Sequence, residues 1–464
     1  MKHTDFAIER LGTPTIASPV RNLDFVRDDA NVVFYKDTRD IIPANGEQIL
    51  TFEQAGPRDT IYHDPSWSRA AILTAGGLCP GLNDVIKFIT RTLRTQYGVP
   101  VVYGIPYGYR GLNPEFKHEP RILTEADVDH IHEDGGSVLG SSRGRQPEKI
   151  MVDTLARMNI NMLFCIGGDG TLRGAHAIAE EVRRRNMAIS VIGIPKTIDN
   201  DLMVTDHTPG YGSAAKFVAT VMKEIICDAT VYGTNYVTIV EVMGRNAGWL
   251  TAASALAKGE DCEGVDMICL PEIPFTVEGF IKKVADIQNR KKSVVIAVSE
   301  GVKLPDGRYV CELSDTVQDV DSFGHKKLTG TAQFLANECA KRLNTKTRAI
   351  ELSTLQRCSG HLTSRTDITE AYQVGGAAVL AAKQGKSGVA VTIVRISDKP
   401  YQCKTGTVEI EKIANLEKKI PVSWINDTHT DMLEPFYDYA RPLIQAELPP
   451  FYVNGLPYHI SNKQ

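Results

Sequence analysis

The densest cluster of chemistry-bearing side chains is Pro195-Lys196-Thr197-Ile198-Asp199-Asn200-Asp201, directly after the apolar run ISVIGI. Two carboxylates two residues apart, beside an ammonium and a hydroxyl, suit a group transfer in which one carboxylate accepts a hydroxyl proton and the other groups orient it. A solvated loop has a similar composition, but loops behind so apolar a strand seldom carry so many polar groups. A second turn, Gly167-Gly168-Asp169-Gly170-Thr171, places one carboxylate between glycines after the run MLFCI. An acid there can hold a hard cation while the glycines let phosphate approach the backbone. Asp169 is therefore the metal candidate; its other use is to cap a helix beginning near Leu172. A third turn, Gly76-Gly77-Leu78-Cys79-Pro80-Gly81-Leu82-Asn83, opens a helix and can face a phosphate with backbone N–H groups. It lacks both the GK[ST] ending of a Walker loop and the GxGxxG dinucleotide pattern.

Cations stand in three further stretches: Ser141-Ser142-Arg143-Gly144-Arg145, Met243-Gly244-Arg245, and Arg348 with Arg357 in TRAIELSTLQR. Arginine suits bidentate phosphate contacts, although each of these singly fits a surface ion pair. Glu300, closing the run SVVIAVSE, can accept from a sugar hydroxyl or simply face solvent. There is no GxSxG elbow, no HExxH and no Cys/His signature, which argues against covalent catalysis.

These turns need elements to hold them. AAILTAGG, MLFCIGGDG, ISVIGIPKTIDND, YVTIVEVMGR and SVVIAVSEG are short apolar runs, each ending in a functional-looking turn and followed by a helical pattern. That alternation predicts an α/β fold with mainly parallel sheets covered by helices, and ligand sites beyond the carboxyl ends of the strands. The chain has 464 residues, enough for two lobes and a cleft. With 52 Lys+Arg against 56 Asp+Glu, the net charge of -4 provides no global field for nucleic acid or anionic lipid. The start MKHTDFAIERLG has no signal-peptide run, no stretch of about 18 apolar residues occurs, and a cytoplasmic location is expected. Nine scattered cysteines read as reduced thiols packed as small hydrophobes. Residues 1–68 read as an irregular N-terminal extension in which Val32-Val33-Phe34-Tyr35 is strand-like.

Taken in order, GGLCPGLN, LGSSRG, IGGDGT, GIPKTIDND, VEVMGRNAGW, AVSEG and TRAIELSTLQR resemble the phosphofructokinase family over about residues 70–400. The part up to Asp201, including RLGTP and AGPRD, is similar to the long ATP-dependent members of trypanosomes, plants and spirochaetes. From TDHTPGYGSAAK through IANLEKK to YARPLI the chain is more similar to bacterial pyrophosphate-linked members. The resemblance implies two Rossmann-like lobes, the second inserted into the first: a donor lobe of residues 69–210 with about 357–400, a sugar-phosphate lobe of 211–356, and a C-terminal extension of 401–464. It implies that Gly76, Gly77, Arg143, Gly144, Gly168, Gly170 and Thr171 contact the nucleotide and that Asp169 serves Mg²⁺. Asp199 would be the general base, flanked by Thr197 and Asp201, with Lys196 and Arg143 stabilising the moving phosphoryl group. Thr197, Ile198, Asp199, Met243, Gly244, Arg245, Glu300, Thr354 and Arg357 would hold fructose 6-phosphate.

In family tetramers an arginine from the neighbouring subunit reaches the sugar phosphate, which matches Arg348; a homotetramer or homodimer is expected. Tyr236 stands where short bacterial members have a second such arginine, and Thr354 replaces a histidine or tyrosine. Lys87 and Arg91, one helical turn apart, stand where short members bind effectors and read as surface charge. The resemblance implies ATP or pyrophosphate as the donor. Gly170 leaves room for an α-phosphate where pyrophosphate-linked relatives carry an aspartate, which favours ATP, while Lys196 is compatible with both. A non-catalytic sugar-phosphate regulator and a nicotinamide dehydrogenase are the remaining readings. The intact Asp169, Asp199 and Arg245 argue against the first, and the missing GxGxxG against the second.

Overall fold

The computed structural model describes residues 8–21, 24–33, 51–231, 233–313, 328–414 and 416–458. From Arg69 the chain lays down β1 (Arg69–Ala75), β2 (Val101–Ile105), β3 (Arg121–Ile122), β4 (Met162–Gly167) and β5 (Ser190–Pro195). It then builds β6 (Tyr236–Val242), β7 (Met267–Cys269), β8 (Ser293–Ser299) and β9 (Lys346–Glu351), and returns for β10 (Val389–Asp398) and β11 (Tyr401–Glu409). Two sheets result. The first has the order β11-β10-β5-β4-β1-β2-β3, and the second, β7-β8-β6-β9, is inserted between β5 and β10 of the first.

Every pairing in the second sheet is parallel, and in the first only β3 and β11 run antiparallel to their neighbours. The apolar runs have their cause here: β4, β5 and β8 are buried at every residue, as strands covered on both faces must be. Helices α1 (Leu82–Arg91), α2 (Glu148–Arg157), α3 (Asp169–Arg184), α4 (Tyr211–Thr230), α5 (Val277–Gln288), α6 (Thr331–Leu343) and α7 (Arg365–Lys383) supply the cover. One apolar core passes without a break from Phe164 and Ile194 of the first sheet to Val240 and Ala297 of the second.

Two parts of the chain outside the expected lobes are tied into the first. β11 continues the first sheet to Glu409, so the chain of this lobe runs past residue 400. It pairs through a hairpin whose signal is a two-residue turn rather than a new apolar run. The N-terminal extension is tied down more than its composition suggests. Leu11 N donates to Gly385 O (2.8 Å), Tyr62 N to Lys383 O (2.6 Å), and Phe52 is fully buried. Glu53 meets Lys386 at 3.1 Å, Arg10 at 2.9 Å and Arg58 at 3.3 Å. Val32 and Val33 lie in a strand (Asn31–Val33), while Phe34 and Tyr35 lie outside the described residues. None of the nine cysteines forms a disulfide; Cys79, Cys165, Cys269, Cys311 and Cys339 are buried, and Cys227 is exposed. No helix among the described residues is long and apolar enough to cross a membrane.

Candidate active site

The glycine turns converge because β1, β4 and β5 are adjacent parallel strands, so their carboxyl ends lie side by side. After β1 the chain turns at Gly76 (φ 90°) and enters α1 through Gly81 (φ 81°), both left-handed positions that glycine adopts without strain. The Ser141–Arg145 loop is laced to this turn: Gly76 N donates to Ser142 O (3.1 Å) and Ser141 Oγ to Gly76 O (2.7 Å). A side chain starting at Gly77 would meet Arg357 Cζ at 3.7 Å and Arg143 Nη2 at 4.0 Å. Arg143 of the first lobe and Arg357, beyond the end of β9, therefore flank one bare stretch of backbone.

At the second turn the helix starts earlier than expected. α3 begins at Asp169, and Gly168 is its N-cap with no side-chain capping bond, so Asp169 is not the cap. Its carboxylate sits in the first helical turn, half-buried, 3.2 Å from Arg173 Nε. Thr171 is buried and its hydroxyl is used structurally, donating to Ala75 O at 2.9 Å. Gly170 is exposed, and a Cβ there would meet only Arg173 Nη2, at 3.9 Å.

The third turn completes the group. Lys196 N donates to Gly167 O (3.0 Å), and Thr197 Cβ lies 3.6 Å from where a Gly168 side chain would begin, bringing the Asp199 loop against the Asp169 turn. Asp199 N donates to Thr197 Oγ1 (3.1 Å), and the same hydroxyl lies 3.4 Å from Asp199 Oδ2. Burial raises the Asp199 carboxyl above its usual range, opposed in order by Arg357, the Thr197 hydroxyl, Arg245 and Arg143. Asp201 is pushed up to about 7 by burial and by the neighbouring charges of Asp199, Glu417 and Asp169.

From the second lobe come Met243-Gly244-Arg245 and Glu300, at the carboxyl ends of β6 and β8. Gly244 N donates to Glu300 Oε1 (3.4 Å). A side chain on Gly301 would fall 1.9 Å from Arg245 O, so only glycine lets these two turns touch. Burial raises the Glu300 carboxyl to about 7, with Asp199 adding to the rise and Arg245 and Arg357 opposing it. Glu300, Arg245, Arg357 and Asp199 thus share one electrostatic site spanning both lobes.

The fold gives four more of these residues their surroundings. Lys196 is 1% exposed and its ammonium donates to Pro80 O beneath the first glycine turn, among Cys79, Asp84 and Asp367, rather than projecting into the cleft. Arg348 lies on edge strand β9, paired with Asp228 at 2.7 Å and over the ring of Tyr236 at 5.7 Å. Tyr236 begins β6, so Arg348 is at the end of the sheet opposite Glu300. Thr354 is exposed and receives Arg357 N on its carbonyl oxygen (3.0 Å). Lys87 is buried rather than a surface charge, donating to Asp129 O and facing His132 Nδ1 at 2.9 Å, while Arg91 pairs with Asp129 at 3.6 Å. Asp84 and Asp367, the buried carboxylates around Lys196, escaped notice because nothing local marks them; Asp367 is bound by Gly210 N (2.6 Å), 157 positions away.

The phosphofructokinase family model matches residues 69–382. The chain is 40% identical over 287 residues to an ATP-dependent 6-phosphofructokinase of Borreliella burgdorferi, covering 60% of this chain and 62% of that protein. It is 34% identical over 324 residues to a pyrophosphate–fructose 6-phosphate 1-phosphotransferase of Methylococcus capsulatus, covering 69% of this chain and 76% of the relative. A solved pyrophosphate-dependent phosphofructokinase of Marinobacter aquaeolei superimposes with a TM-score of 0.75 at 31% identity, over 84% of this chain and 95% of that one. The chain thus spans less than two thirds of the length of the Borreliella relative. The match covers the glycine turns, the Asp199 loop and both sheets up to α7, and it is on this stretch that the chain belongs to the phosphofructokinase family.

Proposed function

We propose that this chain is a 6-phosphofructokinase that transfers the terminal phosphoryl group of ATP to O1 of fructose 6-phosphate, giving fructose 1,6-bisphosphate in cytoplasmic glycolysis. The observation that carries the reading is Asp199: a half-buried carboxylate held by Thr197, within the field of Arg357, Arg245 and Arg143 drawn from both lobes. A phosphorylated sugar and a phosphoryl donor both need such cations, and only one carboxylate is needed to take the proton.

In this reading the seven-stranded lobe binds the donor and the four-stranded lobe the sugar phosphate. Gly76, Gly77, Gly144, Gly168 and Gly170 present backbone to the donor, with Thr171 bracing the turn. Met243, Gly244, Arg245, Glu300, Ile198 and Arg357 hold the sugar, with Thr354 at the rim. Asp199 accepts the proton from the O1 hydroxyl as the O1–P bond forms and the bridging P–O bond of the donor breaks. Burial that raises its carboxyl makes it the stronger acceptor. Arg143 and Arg245 stabilise charge on the transferring group, each such contact contributing on the order of 2–4 kcal/mol. Lys196 acts from beneath, holding the glycine turn through Pro80 O.

The donor set fits a magnesium ion. The charges of Asp169 and Asp199 both bear on Asp201 across the turns, and a hard divalent cation takes one or two carboxylates with phosphate oxygens and water. Asp169 would hold it; when bound, such an ion screens the charge of the donor phosphates. Arg348, pointing away from its own cleft, suits a homotetramer or homodimer in which it completes a neighbour's sugar site.

Pyrophosphate is the second reading, favoured by the Marinobacter likeness over 84% of this chain. Gly170 weighs against it, since the space beside Asp169 is open. Initial rates of fructose 1,6-bisphosphate formation with ATP and with pyrophosphate test both. Activity with pyrophosphate alone would overturn the donor, and activity with neither would overturn the acceptor chemistry.

A further inference from the structure

Asn200 lies between the two carboxylates of the Asp199–Asp201 pair and adopts a left-handed backbone (φ 53°), fully buried. That conformation is not the default for a non-glycine residue, so the surroundings must hold it. Its side-chain amide is hydrogen-bonded at both ends. Oδ1 accepts from Thr208 N (3.1 Å) and from Lys418 Nζ (3.2 Å), and Nδ2 donates to Tyr439 Oη (2.8 Å). Two of these partners are far away in sequence, 218 and 239 positions downstream in the C-terminal extension.

Lys418 grips the loop by main chain as well as side chain. Its N–H donates to Asp201 O (2.7 Å), Glu417 bridges Leu202, and Nζ also donates to Asp206 O (2.6 Å), which Tyr439 Oη binds as well (2.8 Å). The same residue reaches the second lobe: its carbonyl accepts from Trp249 Nε1 (2.8 Å), and Nζ lies 5.2 Å from the Trp249 ring centroid. Two residues on, Ile420 N donates to Glu272 Oε1 (3.1 Å), the oxygen that also accepts from Gly248 N (2.9 Å). Residues 417–420 thus join the Asp199 loop of one lobe to the turn following Arg245 of the other.

We propose that Lys418, with Tyr439, is a positioning residue for phosphoryl transfer, fixing Asn200 and so the direction of Asp199 relative to Arg245. The inference rests on the reading of Asp199 as the base, but its structural half is testable without turnover. Lys418→Met removes the ammonium while keeping the stem over Trp249, Tyr439→Phe removes a single oxygen, and the exposed neighbour Lys419→Met is the control.

Hydrogen exchange of peptides covering residues 196–206 in the ligand-free full chain is expected to quicken about 10-fold in Lys418→Met and Tyr439→Phe, and not in Lys419→Met. With fructose 6-phosphate and ATP, kcat is expected to fall by about 10- to 100-fold at KM values within about 3-fold of wild type, with partial recovery in Lys418→Arg. Unchanged exchange at 196–206 overturns the proposal, as does loss through KM alone with kcat intact. If Lys418→Met does not fold, Tyr439→Phe decides by the same two measurements. If exchange quickens but the wild type transfers phosphate from neither ATP nor pyrophosphate, the loop-holding role stands and the base assignment of Asp199 falls.

Discussion

Replacing Gly170 by aspartate separates the two donors with little cost to the fold. A Cβ at this position meets only Arg173 Nη2 at 3.9 Å, and the new carboxylate would lie in the first turn of α3, where negative charge is favoured by about 0.3–1 kcal/mol. It would also share Arg173 with Asp169, which sits 3.2 Å away from that guanidinium. The thermal midpoint should therefore hold or rise slightly. For ATP the added charge stands beside the α-phosphate. Taking about 6 Å separation and an effective dielectric constant of about 20, one unit of repulsion is about 3 kcal/mol, or about 10²-fold in kcat/KM. Pyrophosphate has no α-phosphate or nucleoside; its nearer phosphate, about 3 Å further away, meets about 2 kcal/mol by the same reckoning, so any rate with it should fall several-fold less than the rate with ATP. The assay is initial-rate formation of fructose 1,6-bisphosphate with each donor, alongside a thermal scan. An ATP kcat/KM within about 3-fold of wild type would refute the placement of the nucleotide over Gly170.

Asp199→Asn, close in shape and unable to take a proton at neutral pH, should lower kcat by at least about 10² at similar substrate KM, and near-wild-type turnover would remove it from the base role. Light scattering should show an assembly larger than the 51.0 kDa chain, and Arg348→Ala should raise the KM for fructose 6-phosphate; a fully active monomer would sink the shared site. The pH dependence of stability should follow His207. Burial opposes its charge, but Glu370 and Asp206 outweigh that and carry it to about 9. Because the folded value is raised, the stabilisation is full below about 6.5 and is lost as pH climbs through about 9, on the order of 3 kcal/mol in all. Wild type should therefore lose thermal stability between pH 7 and about 9.5 more steeply than His207→Gln, and parallel curves would contradict the assignment.

Much of the fold was legible because the buried parallel strands have no polar face to disguise them. AAILTA, MLFCIG and SVVIAVS are apolar but for Thr74 and the terminal Ser293 and Ser299, and each stops at a turn whose glycines or acids cannot serve as core. The glycine turns and the Asp199 loop were found for the same reason, and the structure gathers Asp169, Thr197, Asp199, Arg143, Arg245, Glu300 and Arg357 as a group. What sequence could not supply was direction. Lys196 sits in a polar run, yet its ammonium turns under the neighbouring loop because Pro80 O, Asp84 and Asp367 wait there. Arg348 was chosen for its charge, while its partner Asp228 comes from the end of α4, 120 positions earlier. Lys418 stands in the IANLEKK stretch, where the sequence gives it no role of its own; only the folded chain shows Asn200 and Trp249 on either side of it.

The insertion of the second sheet between β5 and β10 also dictates an order of events on the ribosome. β5 ends at Pro195, and β10, its neighbour on one side, begins at Val389. Until that strand emerges, β5 is an open edge, buried at every residue in the finished fold and unable to satisfy its outer backbone groups from the strands made before it. The N-terminal segment waits on the same stretch, since the partners of Leu11 and Tyr62, and one of those of Glu53, lie at residues 383–386. At roughly 5–20 residues per second, the interval lasts on the order of tens of seconds, with Phe52 and the β5 edge uncovered throughout. The nascent chain is therefore most open to aggregation and to chaperone capture midway through synthesis, and it passes out of that danger as α7, β10 and then β11, whose Gly406 packs on Phe52, leave the exit tunnel.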